Sequence, residues 1–198
     1  EIYRVFEYAG REQFTIYTHV RSMGIDAIQE VVANAASTGA PLHIVHLNSS
    51  SLWEIGTNLD LIRGAQESGV DVTTEVYPYT AASTSLESAI FDEGWQEHLR
   101  IDYGDLQWQD TGERLTEETF RSYREEGGTV IIHMMKPDWI EMGLKASHTM
   151  VASDGMPYAL GAHPRGAGTF SRFLGRYVRE EGTLSLMDGL RKMTLMPA

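Results

Sequence analysis

The sequence predicts an α/β fold on parallel strands, and three observations carry the prediction. Short runs rich in β-branched residues alternate with runs of helical period. The joints between them are short, and glycine stands where a helix must stop, as at Gly39 and Gly69. Strand, helix, strand, helix, strand in that order is the pattern of βαβ units, whose strands lie parallel.

The elements follow in order. Residues 15–20 (Thr-Ile-Tyr-Thr-His-Val) form the first expected strand. Ile25, Ile28, Val31, Val32 and Ala35 then share one face of a helix. Residues 42–47 make a second strand, and Ile55, Leu59, Ile62 and Ala65 mark a second helix. A third strand covers residues 70–77. From about residue 81 to residue 128 the rhythm breaks. That stretch is rich in Asp, Glu, Gly and Trp, shows no clear strand, and reads as an insertion. It holds one short helix after Thr116, with Glu117 and Glu118 in the first turn, where the positive helix end favours them. Residues 129–134 and 148–154 resume as strands. Two helices close the chain. One carries Phe170, Phe173, Leu174, Tyr177 and Val178, and the other opens at Ser185 with Asp188 three residues on.

Four or five strands leave two architectures open. An eight-stranded barrel typically needs about 250 residues, so these residues supply only part of one. The alternative is an open, doubly wound sheet.

Composition narrows the function classes. The chain has 198 residues, 42% of them hydrophobic, which is enough for a packed core. A formal net charge of −12 repels phosphate backbones and anionic lipid heads, so neither nucleic acid nor a membrane is an expected partner. The apolar runs are short and interrupted by His, Thr or Ser, so none spans a bilayer. The opening residues lack the layout of a signal peptide, and a cytoplasmic location is the default expectation. With no cysteine, disulfides and thiolate metal ligands are excluded within these residues.

The candidate chemistry lies at strand ends. His19 and His46 occupy matched C-terminal ends of the first two strands. Neighbouring parallel strands lie about 4.8 Å apart, so two inward imidazoles at such ends can share one metal ion. The competing reading is a pair of hydrogen-bonded structural histidines. Asp154 ends a later strand before Gly155, where a carboxylate can complete a metal site or take a proton from water. It can equally serve as a turn or cap residue. His43 and His133 read as core or supporting positions, and His98 and His148 as surface or strand-start positions.

Five segments carry a resemblance. Tyr17-Thr18-His19-Val20-Arg21, His43-Ile44-Val45-His46-Leu47-Asn48, Tyr77-Pro78-Tyr79, Ala152-Ser153-Asp154-Gly155 and the run from His163-Pro164-Arg165-Gly166 to Gly168-Thr169-Phe170 resemble, in order and spacing, those of the D-aminoacylases of the amidohydrolase superfamily. The resemblance implies a partial (β/α)8 barrel, strands five to eight, with a small insertion before the last strand. It implies that His19 and His46 ligate zinc, one or two ions in a full-length parent, and that Asp154 lies at the metal and acts as general acid and base. It implies substrate contacts from Arg165, Tyr79 and Ser85. Asn48 stands where family members commonly have a lysine, so one cationic contact to the substrate is expected to be missing.

The activity so implied is metal-dependent hydrolysis of the amide bond of N-acyl D-amino acids. The family's His-x-His pair and metal-bridging cysteine precede everything in this chain. The chain is therefore expected to be an inactive fragment that binds zinc weakly or not at all and self-associates through exposed strand edges. The rival readings are a cyclic-amide hydrolase of the dihydropyrimidinase or dihydroorotase type, and a non-catalytic half-barrel binding module.

Overall fold

The computed structural model describes residues 1–198. Its elements run α1 (Ile2–Glu12), β1 (Ile16–Thr18), α2 (Ile25–Thr38), β2 (Leu42–Ile44), α3 (Leu47–Ser51), α4 (Ile55–Glu67), β3 (Val72–Val76), β4 (Ala82–Ser85), α5 (Trp95–Leu99), β5 (Leu106–Trp108), α6 (Glu117–Glu126), β6 (Thr129–Ile132), α7 (Pro137–Lys145), β7 (Thr149–Val151), α8 (Arg165–Arg172) and α9 (Leu186–Met193). A π-helical segment, Phe173–Glu180, continues α8.

The main sheet has four parallel strands in the order β1-β2-β3-β7. The four strands lie side by side in their chain order, with the three strands of a separate sheet between β3 and β7, and the order never reverses as a doubly wound sheet requires. The helices pack on one another in the same succession, α1 on α2, α2 on α4 and α4 on α7, so they form one layer on one side of the sheet. The sheet does not close: β1 and β7 remain its edges.

Period-two alternation divides the strand residues between the two sides. Leu42, Ile44, Val72, Val76 and Val151 are buried, with α2, α4 and α7 packed on these strands. Alternate positions bring Tyr17, His43 and Thr73 into one row across the sheet, with Glu75 beside Met150 in the next. His43 is tied there, Nδ1 to Thr73 Oγ1 at 2.7 Å and Nε2 to Glu75 Oε2 at 3.3 Å.

Between β3 and α7 the chain builds a separate three-stranded antiparallel sheet in the order β4-β6-β5. The insertion is thus longer than the expected 81–128, and residues 129–132 belong to it rather than to the parallel sheet. The physical reason is that Thr-Val-Ile-Ile is a short, continuous apolar run, and such a run does not reveal which sheet will bury it. Aromatic rings fill the space beneath: Trp95 stacks on Phe120 at 5.3 Å, and Phe91 and Tyr103 meet both edge-on.

The C-terminal layer is fixed by one buried amine. Lys192 on α9 is 3% exposed, and its Nζ donates to the carbonyl oxygens of Ala146 and, at 2.9 Å, Thr149. Burial pulls its pKa down to about 8. The acceptors lie at the end of α7 and the start of β7, so one side chain joins three elements.

Candidate metal-binding and hydrolytic site

The chemistry-bearing residues gather beyond the C-terminal ends of the parallel strands, where parallel α/β folds place their sites. His19 follows β1, His46 follows β2 and Asp154 follows β7, while Arg165 opens α8. His19 Nδ1 faces His46 Nε2 at 2.8 Å, with the rings edge-to-face. The other nitrogen of His46 is held by two hydroxyls, Ser50 Oγ at 3.1 Å and Ser49 Oγ at 3.2 Å. If that nitrogen carries the proton and donates it, Nε2 keeps its lone pair toward His19. Such outer contacts are the usual means of fixing the tautomer and orientation of a ligating imidazole. Burial lowers the pKa of His46, against an opposing pull from Asp154, and this favours the neutral ring a metal requires.

Two of these residues sit on unusual backbone. His46 has φ 37° and Asp154 φ 47°, both in the left-handed region that non-glycine residues rarely adopt. Such conformations persist only where the surrounding structure enforces them, and they cluster at functional sites.

Arg165 is 2% exposed. Its Nη2 donates to Ser83 O at 3.1 Å, its guanidinium lies 5.1 Å from the centre of the Tyr77 ring, and its backbone N–H donates to His163 Nδ1 at 3.1 Å. Nη1 stands 2.8 Å from Asp154 Oδ2, outside hydrogen-bonding geometry, so charge holds that pair together. Nε likewise has no acceptor. A cavity of about 230 Å³ is lined by His19, His46, Ser83, Met134, Asp154 and Arg165 among others.

The residue types fit a zinc ion in part. Two imidazole nitrogens converge at 2.8 Å, where one of them holds a proton toward the other; that proton must leave and the rings must part before both lone pairs can face zinc. No group of three or more His, Asp, Glu or Cys side chains lies within reach of one ion, and a catalytic zinc site takes at least one more protein ligand than this pair supplies.

Two expected substrate contacts, Tyr79 and Ser85, are absent from the lining of this cavity, as is Asn48. Asn48 is fully buried; its amide donates to Tyr77 O at 3.2 Å, and its Oδ1 accepts from Tyr77 N at 3.3 Å. It is a brace between α3 and the end of β3. Tyr79 is 8% exposed, its hydroxyl donating to Pro164 O at 3.4 Å and its ring edge-on to His163. Ser85 is exposed and donates to Glu87. Sequence reasoning missed Ser49, Ser50, Ser83 and His163. Ser49 and Ser50 had one available signal, a serine run that opens three residues after His46; Ser83 had none, and His163 lay within a recognised motif but without a role. Burial, helped by Arg165, lowers the pKa of His163 to about 4.

No protein-family model matches the chain. Among curated proteins, an N-acyl-D-glutamate deacylase of Alcaligenes xylosoxydans xylosoxydans is 31% identical, and a D-aminoacylase of the same organism is 29% identical. Each alignment covers 91% of this chain and 40% of the relative. Among solved structures, a D-aminoacylase described as defining a novel subset of amidohydrolases matches with TM-score 0.80 and 27% identity, over 98% of this chain and 44% of that one. An N-acyl-D-glutamate deacylase of Bordetella bronchiseptica, complexed with zinc and a phosphonate mimic of the tetrahedral intermediate, matches with TM-score 0.81 and 26% identity, over 100% of this chain and 44% of that one. In sequence and in fold alike, the chain is similar to D-aminoacylases and N-acyl-D-glutamate deacylases, and it spans about two-fifths of the length of these relatives.

Proposed function

We propose that this chain forms one side of the active centre of a zinc-dependent hydrolase that cleaves the amide bond of N-acyl D-amino acids, and that its parallel sheet is a segment of a (β/α)8 barrel. The observation that carries the reading is the meeting of His19 Nδ1 and His46 Nε2 at 2.8 Å in one cavity with Asp154 and Arg165. His19 and His46 would hold the metal together with ligands from outside these residues. A zinc ion there supplies Lewis acidity toward the amide carbonyl and makes water more acidic. Asp154 accepts a proton from the attacking water and returns it to the departing amine nitrogen. Arg165 holds the amino-acid carboxylate, a task that suits a planar guanidinium. Water and amide become a carboxylic acid and a free amino acid.

The test is an assay of the full-length protein, with zinc and after chelation, on N-acetyl D- and L-amino acids. Turnover of the D-series that disappears on chelation supports the reading. So does a loss of about 10² to 10⁴ in kcat for Asp154→Asn, the range a positioned acid–base group contributes. Absence of turnover by the zinc-loaded protein rejects it. The open edges at β1 and β7 carry a companion expectation, because unpaired strand edges invite another chain. The 198-residue chain alone should scatter light as a homo-oligomer, and a clean monomer would contradict this.

A further inference from the structure

The Asp154–Arg165 pair joins the two roles just assigned, and its geometry carries a consequence that rests on that reading. Arg165 is almost wholly buried, and a buried cation is tolerated only with a counter-charge. Asp154 supplies that charge at 2.8 Å but not in hydrogen-bonding geometry, which leaves Nε and Nη1 without acceptors. The guanidinium is thus neutralised by a carboxylate that leaves two of its nitrogens unbonded, and a better-placed carboxylate can reach them where Asp154 withdraws. Ser83 O and the Tyr77 ring hold it on its side of the cavity, independently of Asp154. Ser83 Oγ, also buried and without a partner, lines the same cavity and offers one more donor.

We infer that Arg165 makes catalysis conditional on the substrate carboxylate: in the free protein it engages Asp154, and an incoming carboxylate takes over Arg165 and releases Asp154 to act on water. Exchange of one carboxylate for another keeps the buried cation neutralised. A substrate without a carboxylate can free Asp154 only by stranding that cation, so it lacks the base as well as an anchor. Selection for amino acids is then exerted on the chemical step and not on binding alone, which is the behaviour of induced fit. No proton needs to move in the exchange, and Asp154 leaves Arg165 as the carboxylate that acid–base chemistry requires.

The experiment uses the full-length, zinc-loaded protein with N-acetyl-D-leucine and its decarboxylated analogue, N-isopentylacetamide, each with and without sodium formate. The analogue should be hydrolysed slower by about 10² or more in kcat, the contribution of a positioned base. Formate should accelerate the analogue several-fold while competing with N-acetyl-D-leucine. Arg165→Ala should hydrolyse the analogue faster than the unaltered protein does, should lose the formate response, and should be slower on N-acetyl-D-leucine. Formate that inhibits or leaves unchanged the hydrolysis of the analogue overturns the inference, as does an Arg165→Ala protein slower on both substrates. Should Arg165→Ala fail to fold, the formate response of the unaltered protein decides. If that protein hydrolyses N-acetyl-D-leucine but shows no formate response, only the inference falls; if it hydrolyses neither substrate, the proposed function falls too.

Discussion

At the scale of single residues, the sequence placed His19, His46 and Asp154 at strand ends but not the residues that support them. His19, His46 and Asp154 were legible because strand ends can be counted from period-two runs, and parallel strands bring like ends together. Asn48 was not legible. Its partner, Tyr77, is 29 residues away, and only the fold shows that the amide spans both the N–H and the C=O of one peptide position. The structure therefore predicts a stability role for it. Asn48→Ala should lower the unfolding free energy by about 1–3 kcal/mol, the cost of leaving buried backbone groups unpaired, with a denaturant titration as the check. His163 gives a pH prediction. Its folded pKa, about 4, lies below the ordinary value, so between the two the unfolded chain binds the extra proton. Its contribution to stability is thus intact above the ordinary histidine value and is lost as pH falls toward 4. His163→Asn should flatten that part of the acid limb when unfolding free energy is measured from pH 7 downward.

At the scale of elements, α2, α4, α6, α8 and α9 were found, while α1, α7 and the short α3 and α5 were not. α7 escaped because its apolar face is only Ile140 and Leu144, and Pro137 and Gly143 both weigh against a helix when read by propensity. The fold gives each a reason. Pro137 sits at the first helical turn, where a missing N–H costs nothing, and a Cβ on Gly143 would stand 3.0 Å from Val76 Cγ1. The strands of the insertion escaped because β4 and β5 are short and polar in part, and antiparallel partners far apart in sequence leave no local mark. Close approach of α1 to α2 supplies a test. A Cβ on Gly10 would lie 2.2 Å from Thr38 O, a backbone atom with no freedom to yield. Gly10→Ala should therefore shift α1 and cost about 1–3 kcal/mol, as overpacking does. Faster proteolysis within α1, with the site residues unaffected, is the expected readout.

At the scale of the molecule, the fold class was legible and the winding was not. Helical and strand periods establish α/β alone, whereas the sequential strand order and the single helical layer come from the assembled sheet. The net charge of −12 acts on the whole, since mutual repulsion of surface carboxylates opposes compaction and salt screens it. The thermal midpoint should rise between low and physiological ionic strength; a midpoint that is flat or falls would show that local pairs outweigh the net charge. The buried amine of Lys192 has a practical consequence. The chain has three lysines, and Lys136 and Lys145 are exposed while Lys192 is closed off between α7, α9 and β7. An amine-acylating reagent will mark the first two promptly. It can reach the third only in moments when α9 lifts away, because burial both shields that amine and lowers its pKa. The rate at which the peptide carrying Lys192 gains the label is thus a built-in clock for local opening of the C-terminal layer, readable without any engineered probe.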